Sequence, residues 1–226
     1  MFFAPFIVLI FLIYFILLIA LFSFVEIGAI AYVFDKIGIS EGYVFSLLFL
    51  TLIGSLINIP IKRIHSGSLE PSGRTVRFWG YRFVIPEARR PQETLLSVNV
   101  GGALIPSLLA IYLMFVQPGL LLKDVLAIGI VALVVHRFAK PVRGVGITTP
   151  AFVAPLVAAL LAIILSPAHS PVVAYVSGTL GTLIGADLLN LKKIPELGAP
   201  VASIGGAGTF DGVFLTGIIA VLLAAW

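Results

Sequence analysis

The sequence contains no cysteine. That excludes disulfide scaffolds, thiol nucleophiles and thiolate metal sites. Charge is nearly as scarce. Of 226 residues, 11% are Asp, Glu, Lys or Arg, against about 25% in an ordinary soluble domain. A water-soluble globular enzyme, a disordered chain and a coiled coil are all excluded by that figure. The three histidines, His65, His136 and His169, lie in separate segments without paired-ligand spacing, so neither a metal nor a cofactor is expected. There is no low-complexity tract and no strong internal repeat. The net charge of +4 adjoins apolar runs rather than forming a basic face, so no nucleic-acid partner is expected.

What is present is apolar. Hydrophobic residues make up 60% of the chain, with 17 Phe, 22 Gly and 14 Pro, and the mean hydropathy is +1.18. This composition predicts an all-α polytopic membrane protein, a single integral membrane domain over residues 1–226. Its lipid contact surface is Phe-rich, and its helices pack closely or break at Gly and Pro.

A spanning helix needs about 20 mostly apolar residues. Seven spans are expected on that rule. They are Phe2–Val25, Tyr43–Ile61, Leu95–Val116, Asp124–Phe138, Ile147–Leu165, Pro171–Leu189 and Phe210–Trp226. The first lacks a basic leader region and is expected to remain as a helix. Glu26–Gly38 either extends it or lies at the interface. The basic residues then sort to one side. Lys62, Arg63 and five further arginines lie between spans two and three. Arg137, Lys140 and Arg143 follow span four, and Lys192 and Lys193 follow span six. Only Lys36 and Lys123 fall on the other side. This predicts a plasma-membrane protein with its N-terminus cytoplasmic and its C-terminus outside.

One cytoplasmic loop is sizeable, residues 62–93. Within it, Thr75–Ile85 is rich in β-branched and aromatic residues around Trp79-Gly80, which predicts a short hairpin. Its aromatics either rest on the membrane surface or flank a strand edge that pairs with an extended peptide.

Polar residues inside spans are costly and therefore informative. Asn58, Asn99, Thr148, Thr149, Asp187, Asn190, Thr209 and Asp211 all fall at the basic side in this topology. A polar cavity open to that side is expected. In span six, Gly178, Gly181 and Gly185 recur at helical spacing and predict close helix packing. Asp187 is oddly placed, because the C-terminal end of a helix disfavours a carboxylate. It either pairs with Lys192 or Lys193 or serves chemistry. The segment from Lys192 to Gly212 carries Pro195, Pro200, Gly198, Gly205, Gly206 and Gly208. It cannot stay helical and reads as a broken or re-entrant element. Thr209 then caps the last helix, with Asp211 either a first-turn acid favoured by the dipole or a partner of Asp187. Two carboxylates at one site share a proton, so that one acts as base toward water and the other as acid toward a carbonyl. Asp124 opens the fourth span and reads as an acid at an outer border.

Taken whole, the chain resembles the prokaryotic membrane family catalogued as domain of unknown function 1614. The stretches that carry the resemblance are Gly54–Pro60, Val98–Pro106, Gly146–Pro155, Gly181–Leu191 and Gly198–Ile218. That family implies no activity. A second, weaker resemblance is to the GxGD-type intramembrane aspartyl peptidases, which use two membrane aspartates. In their prepilin branch an Ile-Pro step follows the first aspartate, as Ile194-Pro195 follows Asp187 here at slightly longer spacing. Their second aspartate lies in Gly-x-Gly-Asp. Here Gly206-Ala207-Gly208 precedes Asp211 with Thr209 and Phe210 between. Pro150-Ala151-Phe152 is similar to the presenilin-like Pro-Ala-Leu element, but it precedes both aspartates.

Three functions stay open. In an aspartyl-type hydrolase acting on a membrane peptide, Asp187 and Asp211 would be catalytic. Asn190, Asn99 and Thr209 would orient groups, and Gly205, Gly206 and Gly208 would admit substrate backbone. A small-solute or ion transporter would use the same acids. A non-catalytic membrane scaffold would use neither. Membrane lipid is the one partner expected in every case.

Overall fold

The computed structural model describes residues 12–13, 15–16, 27–65, 74–78, 81–85, 93–142, 146–197, 199–206 and 212–225. It is mostly helical. Residues 27–36 form α1, followed by α2 (Glu41–Ser55), α3 (Ile105–Val116), α4 (Leu121–Phe138), α5 (Val153–Leu165), α6 (Ser170–Thr182) and α7 (Gly212–Ala224). Two continuous helical stretches, Pro118–Phe138 and Pro167–Pro195, are long and apolar enough to cross a membrane. The others are shorter. α5 and α7 have 13 residues each, or about 20 Å of helix.

The centre of the bundle is α6, which touches α3, α4, α5 and α7. Eleven of its 13 residues are buried. Glycine makes this possible. A Cβ on Gly181 would lie 2.7 Å from Val131 of α4, and one on Gly185 would lie 2.4 Å from the Ala132 carbonyl. Gly178 instead meets Ala220 and Thr216 of α7 and Ala158 of α5. The expected packing role holds, but Gly181 and Gly185 serve α4 while Gly178 serves α7 and α5. α1, the segment whose depth the sequence left open, packs into the same core through Val33, Phe34 and Ile37. Its Tyr32 hydroxyl donates to the Ala225 carbonyl beyond α7.

Strands correct the all-α expectation. β1 (Asn58–His65), β4 (Glu93–Asn99) and β7 (Val201–Ile204) form a sheet in the order β1-β4-β7. The β1–β4 pair is antiparallel and the β4–β7 pair parallel. The helix expected as the second span therefore stops at Ser55 rather than Ile61. Pro60 cannot continue a helix, and the register shift between Pro60 and Lys62 accommodates it at a bulge. The expected third span likewise begins as strand, because Leu95–Val98 pairs on both sides with β1 and β7. A five-residue π-type turn, Val100–Leu104, then leads into α3. β2 (Arg74–Phe78) and β3 (Tyr81–Ile85) form the expected hairpin, with Phe78 opposite Tyr81. β5 (Lys140–Val142) and β6 (Gly146–Thr148) form a third small ribbon that takes over the start of the expected fifth span. The Gly/Pro-rich segment resolves into 3₁₀ turns over Leu188–Leu197 followed by β7.

The π-type turn is wedged against α2. A Cβ on Gly101 would lie 2.0 Å from the Thr51 carbonyl oxygen and 2.4 Å from the Ser55 nitrogen. Gly129, on the outer face of α4, meets nothing within 4 Å. Gly101→Ala is expected to lower stability by about 2–3 kcal/mol. Gly129→Ala should leave it equal or higher by up to about 1 kcal/mol. Unfolding in detergent, followed by circular dichroism, checks both.

Candidate functional site

The helices deliver their polar termini to one end of the bundle. The 3₁₀ turns that follow α6 touch β1, β5 and β6 there. Asn58 leaves α2, Asn99 precedes the π-type turn, Thr148 ends β6 and Asp187 ends the widened turn Leu183–Asp187 after α6. The structure brings these four of the eight polar residues expected there to one end.

Asn99 ties this end together. It is 1% exposed. Its Nδ2 donates to the Ser55 carbonyl at 2.7 Å and to Asn58 Oδ1 at 3.1 Å, and its Oδ1 accepts from the Gly102 N–H at 2.7 Å. Asn58 Oδ1 also accepts from the Ser203 hydroxyl at 2.6 Å. One amide thus joins the end of α2, β1, the π-type turn and, through Asn58, β7. On the far side of β4, the Thr94 hydroxyl donates to the Ala199 carbonyl at 2.8 Å, fixing the segment that enters β7.

Asp187 faces the exit from β7. Its Oδ2 accepts from the Gly205 N–H at 2.8 Å. Gly205 and Gly206 have φ of +78° and +81°, a left-handed turn that side chains disfavour. Gly205 is also pressed on the π-type turn, where a Cβ would lie 2.5 Å from the Ala103 Cβ. Its absent side chain therefore lets the protein's own backbone close up, so that the turn presents its N–H to the carboxylate.

A cavity of about 320 Å³ opens beside this contact. Asp187, Ser203, Gly206, Thr148 and Leu191 line it, with the rest of β6 and β7 on its walls. Asp187 is the acidic residue among its described lining. β6 pairs with β5 and β7 pairs with β4, so each has a second edge unpaired among the described residues.

The sequence-predicted residues divide. Asp187 and Gly206 line the cavity, and Gly205 holds Asp187. Neither Asn99 nor Asn190 lines it. Asn190 is fully buried and donates to the Gly185 and Ala186 carbonyls at 3.0 and 2.9 Å, capping the widened helix end. Gly208, Thr209 and Asp211 lie outside the described residues. Asn58, Ser203 and Thr148 complete the site. Asn58 and Thr148 were legible as polar residues at span ends. Ser203 carried no signal beyond its place in the Gly/Pro-rich segment. Among the described residues no group of three or more His, Cys, Asp or Glu could hold a metal.

Comparison with known proteins adds a family. The family described as "Protein of unknown function (DUF1614)" matches residues 52–223. No curated protein and no solved structure matches the chain.

Replacing Asn99 by Ala leaves the Gly102 N–H and the Ser55 carbonyl without their buried partner, at roughly 1–3 kcal/mol for each group. Asn99→Ala is expected to unfold at markedly lower temperature than wild type. Ser203→Ala, which removes one hydroxyl from the shared Asn58 oxygen, should cost about 1 kcal/mol. Differential scanning fluorimetry of the two variants side by side checks the order.

Proposed function

Because the chain belongs to the family described as "Protein of unknown function (DUF1614)", which assigns no activity, we propose a function from the site itself: an intramembrane aspartyl-type hydrolase acting on a membrane peptide. The observation that carries this reading is the place of Asp187. Its carboxylate lines a cavity walled by two strands, β6 and β7, that each have an unpaired edge among the described residues. Such edges accept an extended peptide by main-chain hydrogen bonding, and that brings a scissile amide to the acid. The proposed second acid, Asp211, follows Gly206 by five positions, a reach of at most about 18 Å, and Gly206 lines the same cavity. One carboxylate takes a proton from water as it attacks the peptide carbonyl carbon, and the other gives a proton to the carbonyl oxygen. Collapse of the tetrahedral intermediate breaks the C–N bond, and the leaving amine takes up the proton. Thr209 and Gly208 belong to this reading as residues that admit and orient the substrate. Asn99 and Asn190 contribute by holding the backbone that frames the cavity.

The setting is a multi-pass bundle in the plasma membrane, with about seven spans, the N-terminus cytoplasmic and the C-terminus outside. Its outward faces are apolar, with Phe45, Phe115 and Leu122 each more than 70% exposed. The short helices α5 and α7 reach across with the aid of their connecting segments. Lys62, Lys140, Lys192 and Lys193 sit on β1, β5 and the 3₁₀ turns, so the cavity end is the basic end and faces the cytoplasm.

A second reading is transport of a small solute or ion. It is favoured by the interrupted helix after α6, whose break lies beside an acid-lined cavity. The two readings separate on one pair of variants. Asp187→Asn keeps an oxygen to accept from Gly205, so the fold should persist. With purified protein and a quenched-fluorescence membrane-helix peptide, Asp187→Asn and Asp211→Asn should each lower turnover by about 100-fold or more. Wild-type turnover in either variant sinks the hydrolase. Uptake into proteoliposomes that depends on Asp187, without peptide cleavage, assigns the site to transport. Tolerance of both changes in both assays leaves only a scaffold.

A further inference from the structure

At the other end of the bundle Asp124 is fully buried, and neither carboxyl oxygen has a hydrogen-bond partner among the described residues. The sequence placed this acid at a border, but it lies inside the long helical stretch Pro118–Phe138. It shares the buried face of α4 with Ala127, Val131 and Val135. That face packs on α6, since Val131 meets the position of Gly181 and Val135 that of Gly185. The two helices run in the same direction. Carrying the register back along both sets Asp124 against the stretch of α6 around Ala174, where residues Val172–Val176 are all buried.

Among the described residues, the surroundings offer little to balance a negative charge. α5 carries no titratable side chain, and α6 carries Tyr175 alone. The Tyr175 ring lies toward α7, about 3 Å from where a Gly217 Cβ would sit. Lys123, the neighbour in sequence, donates to the Ser166 hydroxyl at 3.3 Å. His169, in the connection to α6, is exposed, as are Asp35 and Lys36 at the end of α1. His136 lies three turns along α4, and Asp187 lies at the opposite end of α6. A bare carboxylate in such a place is strongly unfavourable. A multidentate metal has no ligand set among the described residues. A proton neutralises the group without a coordination shell.

We propose that Asp124 is a proton-binding site of the bundle, occupied at neutral pH and distinct from the Asp187 cavity. The step is the breaking and remaking of one carboxyl O–H bond, with water as the proton's partner. At this end of the bundle a cavity of about 390 Å³ is lined by Gln117, His169, Ser170 and Asp35. The inference does not depend on the hydrolase reading, because Asp124 is no part of the cavity that carries it.

The test uses the purified full chain in liposomes at pH 7. Dicyclohexylcarbodiimide, an apolar reagent for protonated carboxyls, should modify Asp124, as read by peptide mass spectrometry. The labelling rate should fall about tenfold per pH unit above the site's midpoint. Infrared difference spectra should show a protonated-carboxyl band that Asp124→Asn removes, that Asp124→Glu shifts and that Asp187→Asn leaves in place. Asn copies the shape of the neutral acid, so Asp124→Asn should unfold at the wild-type temperature. Absence at pH 7 of a band that depends on Asp124 overturns the proposal. Protection from the reagent by sodium but not potassium also overturns it, in favour of a sodium site.

Discussion

Asn99 satisfies a donor or acceptor on three separate pieces of chain from a position that is 1% exposed. In a chain this apolar, a backbone group that leaves a helix has little water to turn to, and each unpaired one costs as much as a lost hydrogen bond. The end of α2 at Ser55, the start of the π-type turn at Gly102 and the side chain of Asn58 all meet that need at a single amide. The sheet can then begin where the helices stop. β4 inherits its register from β1 on one side and passes it to β7 on the other. The Gly205 N–H is thereby aimed at Asp187. The placement of the carboxylate is thus a consequence of where the backbone found its partners.

The same logic governs how much could be read in advance. The gathering of Asn58, Asn99, Thr148 and Asp187 at one end was legible because polar residues within apolar runs are few, and helix direction alternates from span to span. The hairpin around Trp79-Gly80 was legible because β-branched and aromatic residues cluster on both sides of a turn signal. The three-stranded sheet was not. Leu95–Val100 is a short, mostly apolar stretch that fits a buried strand as well as a helix, and its choice is made by β1 and β7, which periodicity cannot see. Asn190 looked like a residue facing a substrate because it shares helical spacing with Asp187. The helix widens between Leu183 and Asp187, and the amide turns back onto the carbonyls that the widening releases. Asp124 was misplaced for a related reason. An acid in the first turn of a helix reads as solvated and favoured by the dipole, and only the packing of α4 on α6 puts it indoors. The stripe of Ala127, Val131 and Val135 beneath it was the available signal.

Close packing around α6 has a counterpart in rigidity. Gly181, Gly185 and Gly217 each occupy places where even a methyl group would collide with a neighbouring helix, so the bundle holds one tight arrangement. The cavity end is built differently, from left-handed glycines, a bulge, 3₁₀ turns and short strands. Stability in such a molecule is expected to be uneven, with the bundle the most protected part and the strand ribbons the first to open.

The pairing of β4 with β7 also bears on how the molecule comes into being. Thr94 and Ala199, joined by a hydrogen bond, are 105 positions apart in the chain. Between them lie α3 to α6, all of which must be made before the last strand emerges. Synthesis proceeds from the N-terminus, so β1 and β4 wait with one edge open for most of the time the chain is being built. Long-range strand pairing of this kind is slow, and an open edge attracts other strands. The cavity therefore stays incomplete until β7 is made, and a chain halted before Val201 holds Asp187 beside β6 without the wall that β7 supplies.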